Sequence, residues 1–263
     1  MVPRLDIFNP GAIHKIIAVY KELASKRIGC ILIQDDFVLR HNEGFSNWGK
    51  AQFSKTTKVP ARENLMMATD TPYNINWKRV KINRLNKVLK LIVENCKKVN
   101  PAIKVGMNIY YETPIRVKEA EAWYSHNLME ILGTGIDYIY LMSYHRQIKK
   151  EMKLSETGNR ILFMQIVERA YDICKEKLIV KIQIRDWKTG RRIPASEIKS
   201  YLSLIPPQVE RICFTPVKVT DFDYLEELIG SGIRDKAAAR GLSNKSFAEL
   251  FQKRPLGGSP EAN

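Results

Sequence analysis

The chain is 263 residues long, 44% hydrophobic and 27% charged, a globular balance with material for a substantial core in one or two domains. No run approaches the roughly 20 apolar residues of a membrane helix, and the opening Met1-Val-Pro-Arg-Leu-Asp6 lacks the apolar core of a secretory signal. The formal charge of +15 raises nucleic acid, anionic polymer or a membrane surface as partners.

That charge is not concentrated. Lys81, Arg84, Lys87, Lys90, Lys97, Lys98, Lys149, Lys150, Lys175 and Lys177 are spread over helical faces with no interleaved aromatics, which reads as solvated surface. Cys30, Cys96, Cys174 and Cys213 form no Cys-x-x-Cys pair and have no neighbouring His, so they read as small buried hydrophobes and suggest neither a zinc site nor a redox motif.

In chain order, residues 11–26 place Ile13, Ile16, Ile17, Tyr20 and Leu23 on one helical face, with Asn9 as N-cap and Pro10 at the first helical position. The apolar run 28–34 reads as a buried strand and stops at Gln34-Asp35-Asp36, with Glu43 following. Crowded carboxylates are one way to raise a pKa and make a proton donor, whereas an Asp-Asp pair is equally at home in a cap or solvated turn. About 40 residues, 37–77, then carry Phe45, Trp48, Phe53, Tyr73 and Trp77, a loop long enough to wall a binding groove.

Beyond it, helical stripes at 78–98, 117–132 and 159–176 alternate with strands at 103–110, 137–142 and 178–184. A helix at 195–204, a strand at 211–214 and a helix at 221–229, stopped by Gly230, complete the pattern. The Ala- and Gly-rich segment 231–263 reads as a poorly ordered tail outside a folded unit of residues 1–230.

Repeated β/α alternation implies a parallel sheet with helical crossovers. Each strand turns polar or aromatic at its C-terminal end: Gln34-Asp35-Asp36, then Asn108 to Glu112, Ser143-Tyr144-His145, and Gln183 to Trp187. Functional groups gathered at one rim are the habit of a TIM-type (β/α) barrel, and no Gly-rich phosphate loop follows any strand to favour a doubly wound sheet.

Phe8-Asn9-Pro10, Tyr20-Lys-Glu-Leu-Ala24, Gly29-Cys-Ile-Leu-Ile-Gln-Asp35-Asp36 with Glu43, Asn108-Ile-Tyr110, Trp123, Leu141-Met-Ser-Tyr144 and Gln183-Ile-Arg-Asp-Trp187 occur in an order that resembles one family. It is the C-terminal domain of bacterial poly-β-1,6-N-acetyl-D-glucosamine N-deacetylases, and the resemblance runs over residues 5–225. It implies a glycoside-hydrolase-like barrel that binds and cleaves the partially deacetylated exopolysaccharide of biofilms, in the periplasm or outer membrane of Gram-negative bacteria. The family's barrel has eight strands where five are readable here, so the three opening β/α units are expected to be missing. The deacetylase domain with its metal ligands has no counterpart, so no metal or cofactor is carried over. Gln34 stands where the family tends to have His, and Ser143 where it has Pro.

Carried over, Asp35 and Asp36 are the candidates for general acid, and Glu43 for the partner that sets the acid's pKa or grips a glucosamine nitrogen. Adjacent strand residues face opposite ways, so one of the two aspartates is expected in the barrel mouth. Glu112 is either a second rim acid, whose distance from the first would distinguish retention from inversion, or a turn charge before Pro114. Tyr110, Tyr144 and Trp187 are candidate platforms for sugar rings or, alternatively, packing aromatics, and His41 joins them as a substrate contact. Arg185-Asp186 reads as an internal ion pair, and neither His41 nor His145 has an evident triad partner.

A deacetylated polymer is cationic and the chain strongly basic, so the acidic cluster must dominate locally, within a screening length of roughly 8–10 Å. Two rival readings stand beside the hydrolase. One is a truncated, non-catalytic polysaccharide-binding remnant with unpaired sheet edges; the other is a basic nucleic-acid-binding protein with steeply salt-dependent affinity.

Overall fold

The computed structural model describes residues 5–230, so the tail expected from 231 onward lies outside the described residues. Five parallel strands form one sheet in the order β1-β2-β3-β4-β5. They are β1 (Cys30–Ile33), β2 (Lys104–Tyr110), β3 (Tyr138–Met142), β4 (Leu178–Gln183) and β5 (Ile212–Thr215). A doubly wound sheet reverses its strand order at a switch point. This sheet never reverses, and that is the winding of a (β/α) barrel, to which the described residues contribute five strands.

The helices are α1 (Pro10–Ser25), α2 (Asn47–Thr57), α3 (Glu63–Met67), α4 (Pro72–Val99), α5 (Glu112–Ile115), α6 (Val117–Trp123), α7 (Leu128–Leu132), α8 (His145–Glu151), α9 (Glu156–Cys174), α10 (Ala195–Leu202) and α11 (Phe222–Ile229). The Asn9 side chain caps α1 by accepting from the Gly11 amide at 2.8 Å, with Pro10 at its first position as expected. Leu23 departs from the expected stripe and is exposed, while Ile13 and Ala24 are buried. α4 begins six residues before the expected 78, because Thr71 Oγ1 accepts from the Asn74 amide at 3.1 Å and Pro72 follows it. Its buried face includes Lys81, only 1% exposed, where solvated surface was expected.

The helix expected over 117–132 is broken at Ser125, whose φ is +58°. The break is held from outside: Ser125 Oγ donates to the Leu39 carbonyl at 2.7 Å, the Leu39 amide donates to Tyr124, and His126 Nε2 sits 2.9 Å from the Phe37 carbonyl. Burial pushes the His126 pKa down to about 4, so the imidazole is neutral at ordinary pH. These bonds fasten the segment after β1 to the segment after α6. The 37–77 connection is not one open loop either, since α2 and α3 lie within it. Its aromatics pack on one another, with Trp77 ringed by Phe8, Phe45 and Phe53 at 5.6, 5.3 and 6.1 Å between centroids. Only Trp48 of the five named above is largely exposed.

Register sorts the strand residues into two faces, because parallel partners point the same way. Ile31, Ile33, Val105, Met107, Ile109, Ile139, Leu141, Val180 and Ile182 share the buried, helix-covered face. The opposite, inward face carries Cys30, Leu32, Gly106, Asn108, Tyr138, Tyr140, Lys181 and Cys213. It is only partly covered, so Cys30 is exposed where a buried thiol was expected. Gly106 makes room here, since a Cβ would lie 2.5 Å from the Tyr140 ring.

The expected Arg185-Asp186 pair does not form. Arg185 instead forks onto Asp221, 0% exposed, with Nε at 2.9 Å from Oδ2. Arg192 Nε at 2.8 Å and the Lys218 amide at 2.8 Å complete the carboxylate's partners. These hydrogen bonds, Arg185 foremost, hold the Asp221 carboxyl well below the usual carboxylate range. A depressed folded pKa contributes stability that is full above the unfolded value of about 3.9 and is lost as pH falls through the folded one. Urea midpoints should therefore fall between about pH 6 and pH 3 by less in Asp221→Asn, itself destabilised at neutral pH, than in the native chain.

Candidate functional site

Two cavities open at the C-terminal ends of the strands and share Gln147 of α8 as a common wall. The first, about 390 Å³, is lined by Gln34, Asp35, Met142, Tyr144, Lys181, Trp187, Thr215 and Pro216 besides Gln147. The second, about 300 Å³, is lined by Arg40, His41, Tyr110, Tyr111, Glu112, Trp123, Tyr124 and Glu151 besides Gln147.

The structure separates the acidic trio. After β1 the chain turns, with the Phe37 amide on the Gln34 carbonyl at 3.3 Å and the Val38 amide on Asp36 at 2.9 Å. Asp35 enters the first cavity, its carbonyl receiving the Tyr110 hydroxyl at 3.1 Å. Asp36 lines neither cavity, and its charge helps raise the pKa of Tyr20 on α1, behind the burial of that phenol. Glu43 also lies off both cavities, accepting from the Arg40 amide at 2.8 Å. Its charge partly offsets the burial that lowers the Lys81 pKa to about 8, and Lys81 Nζ donates to the Arg40 carbonyl at 2.8 Å. Glu43 and Lys81 thus brace the loop that presents Arg40 and His41.

The other expected residues do reach the cavities. Tyr144 meets Trp187 edge-on at 5.3 Å in the first, while Tyr110 stacks on Tyr124 at 4.1 Å and 12° in the second, beside His41 and Glu112. Glu112 is no turn charge. It opens α5 and is 5% exposed, and its Oε1 accepts from Tyr124 at 3.3 Å while Oε2 has no hydrogen-bond partner. Burial raises its pKa, and the nearby Glu151 adds to the effect.

Several lining residues were not expected. Lys181 interrupts the apolar run of β4, a visible anomaly in sequence, and is 7% exposed. Its Nζ donates to Asn108 Oδ1 at 3.3 Å, and Asn108 Nδ2 donates to Gln34 Oε1 at 2.8 Å, a polar chain running from β4 to the end of β1. Burial lowers the Lys181 pKa, while Cys213 and Asp35 oppose it. Gln34 and Ser143, the two departures from the family pattern, have evident local roles. Gln34 ends that chain, and Ser143 ties β3 to β4 through its hydroxyl and amide on the Lys181 carbonyl, at 3.0 and 3.2 Å. Gln147 and Glu151 stand one turn apart on α8, a helix the apolar periodicity did not reveal.

His145 is buried rather than isolated, with Nε2 2.9 Å from Glu197 Oε1, and burial lowers its pKa. Among the described residues no cluster of three His, Cys, Asp or Glu side chains could hold a metal ion, and no helix is long and apolar enough to cross a membrane.

A family model, hypothetical glycosyl hydrolase family 13 (GHL13), matches residues 1–209. The chain belongs to this glycosyl hydrolase family. In fold, this GHL13 chain is similar to the PgaB (BpsB) glycoside hydrolase domain from Bordetella bronchiseptica, with a TM-score of 0.68 and 20% identity. The superposition covers 91% of this chain and 64% of that one, so the GHL13 chain spans just under two thirds of that structure's length. A search of curated proteins returns no match. The two findings bear out the resemblance read from the motifs. They establish a glycoside-hydrolase-like domain.

Proposed function

We propose that the chain binds and hydrolyses partially deacetylated poly-β-1,6-N-acetyl-D-glucosamine, with Asp35 as the general acid. The observation that carries this reading is the placement of Asp35 at the end of β1 in a cavity with Tyr144 and Trp187 on its wall. A carboxyl beside aromatic surface suits a sugar, whose C–H faces lie on rings while its glycosidic oxygen meets a proton donor. Glu112, across Gln147 in the adjoining cavity, is the second carboxyl of the proposed pair. The periplasm or outer membrane is the compartment proposed with that substrate.

A polysaccharide-binding role without hydrolysis is the second reading, and one observation favours it: Asp35 is the sole carboxylate among the residues lining its cavity, whereas glycosidases pair two. Incubation with β-1,6-linked oligomers carrying both acetylated and free amino groups decides between them. The hydrolase reading expects new reducing ends and shorter products. Binding that leaves the oligomers intact would overturn it in favour of the binding module.

A further inference from the structure

Two of the walls of the second cavity come from segments far apart in the chain. Arg40 and His41 belong to the connection after β1, whereas Trp123 and Tyr124 stand where α6 ends. Trp123 is 41% exposed although its position suggested a buried stripe. One residue joins these walls. Ser125 is 1% exposed, and its hydroxyl donates to the Leu39 carbonyl at 2.7 Å while the Leu39 amide donates to the Tyr124 carbonyl at 3.2 Å. Both backbone groups of Leu39, the residue before Arg40, are thus held by the two residues that follow Trp123.

The clasp is made at a backbone conformation that serine rarely adopts. A φ of +58° lies in the left-handed region, which a residue with a Cβ keeps only where its surroundings over-determine it. Around Ser125 those surroundings are the Leu39 clasp, the Tyr124 and His126 amides on the Ala120 carbonyl at 3.0 and 3.2 Å, and the His126 ring against the Phe37 carbonyl. Each wall also has an anchor of its own: Lys81 of α4 donates to the Arg40 carbonyl, and Tyr124 donates to Glu112 and stacks on Tyr110. These anchors tie each wall to the scaffold and not to the other wall.

We infer that Ser125 is a positioning residue for the second cavity: its clasp on Leu39 fixes the spacing between Arg40-His41 and Trp123-Tyr124, and so governs how tightly a saccharide is held there. The saccharide as ligand rests on the proposed function; the clasp does not. Walls set at their working distance before a ligand arrives need no ordering when it binds, whereas released walls must be ordered at that moment and affinity falls. Asp35 lies in the other cavity, and Glu112 keeps its place at the start of α5 and its bond from Tyr124. Loss of the clasp therefore acts on binding and leaves the proposed carboxyl pair in place.

The test compares Ser125→Ala and Ser125→Gly in the whole chain. Alanine removes the hydroxyl and keeps the backbone constraint, while glycine removes the hydroxyl and adopts the left-handed conformation freely, so it folds even where the alanine variant does not. Both are expected to raise KM for a mixed acetylated and free-amine β-1,6-linked oligomer about tenfold, with kcat within about threefold of native. Amide hydrogen exchange at 37–41 and 123–126 is expected to quicken together, with β2 and β3 as protected as before. Thr134→Ala removes another buried hydroxyl, one that donates to the Ile131 carbonyl at 2.6 Å away from both cavities, and is expected to leave KM and the exchange of both segments at native values. Native KM in both Ser125 variants, a loss confined to kcat, or an equal rise of KM in Thr134→Ala would each overturn the inference. Should the native chain bind the oligomer without cleaving it, the same contrast is read in Kd, and the hydrolase reading falls while this one stands; a native chain that does not bind the oligomer ends both.

Discussion

Asp35→Asn is expected to lower the rate of reducing-end release from a mixed acetylated and free-amine oligomer by about 10²- to 10⁴-fold, the share a positioned general acid contributes. Asp36→Asn is expected to leave turnover close to native. The contrast comes from the turn at the end of β1, which sends Asp35 into the cavity with Tyr144 and Trp187 and leaves Asp36 with its charge felt by Tyr20 of α1. Both aspartates are exposed, so either substitution should change stability by no more than about 0.5 kcal/mol, and a lost rate cannot be ascribed to unfolding. The loss is expected in kcat with KM nearly unchanged, because the aromatic walls and Lys181 remain. Unaltered turnover in Asp35→Asn, or a loss confined to Asp36→Asn, would refute the assignment.

Gly49→Ala is expected to destabilise the fold by about 2 kcal/mol or more, against the ordinary trend in which alanine stabilises a helix by about 1 kcal/mol relative to glycine. Gly49 lies in the first turn of α2, where its amide donates to Ser46 Oγ at 3.1 Å, and it is buried. A Cβ there would lie 1.8 Å from the Gly44 carbonyl oxygen and 3.0 Å from its carbon. The obstacle is backbone, which no side-chain rotation relieves. The loop carrying Gly44 or the start of α2 must move, and Trp77, Phe8 and Phe53 pack at that junction. Gly29→Ala is the matched control, since nothing lies within 4 Å of its added methyl group. Chemical denaturation of the two variants reads the difference directly, and a Gly49→Ala chain as stable as Gly29→Ala would show that α2 does not need this close approach.

Much of the scaffold was legible because its signals are local. The five apolar strands and the Asn9-Pro10 start of α1 announce themselves by periodicity and capping, and the sequential parallel order follows from regular β/α alternation. The errors fall where a distant partner decides. Ser125 breaks the 117–132 helix because Leu39 receives its hydroxyl, and Arg185 leaves its neighbour because Asp221 offers a buried carboxylate. Lys81 looked like one more solvated lysine until the Arg40 carbonyl took its ammonium.

At the site, the sequence pointed to the rim and to Tyr110, Tyr144, Trp187, His41 and Glu112. It could not separate Asp35 from Asp36, because the direction of a side chain just past a strand end depends on the turn. Gln147 and Glu151 were missed because α8 is short and half polar. Lys181 was overlooked although a lone lysine within a buried strand is itself a signal.

The sequential sheet also bears on how the molecule assembles. β2 meets β3 across 32 positions, Gly106 with Tyr138, and β4 meets β5 across 32, Val180 with Ile212, whereas β1 must close a span of 74 from Cys30 to Lys104. The longer closure adds only about 0.7 kcal/mol of chain entropy, but it falls on a strand of four residues with one strand neighbour among those described. β1 is therefore poised to dock late and to detach early in local opening. The residue proposed to protonate the substrate thus hangs from a short strand at one edge of the described sheet.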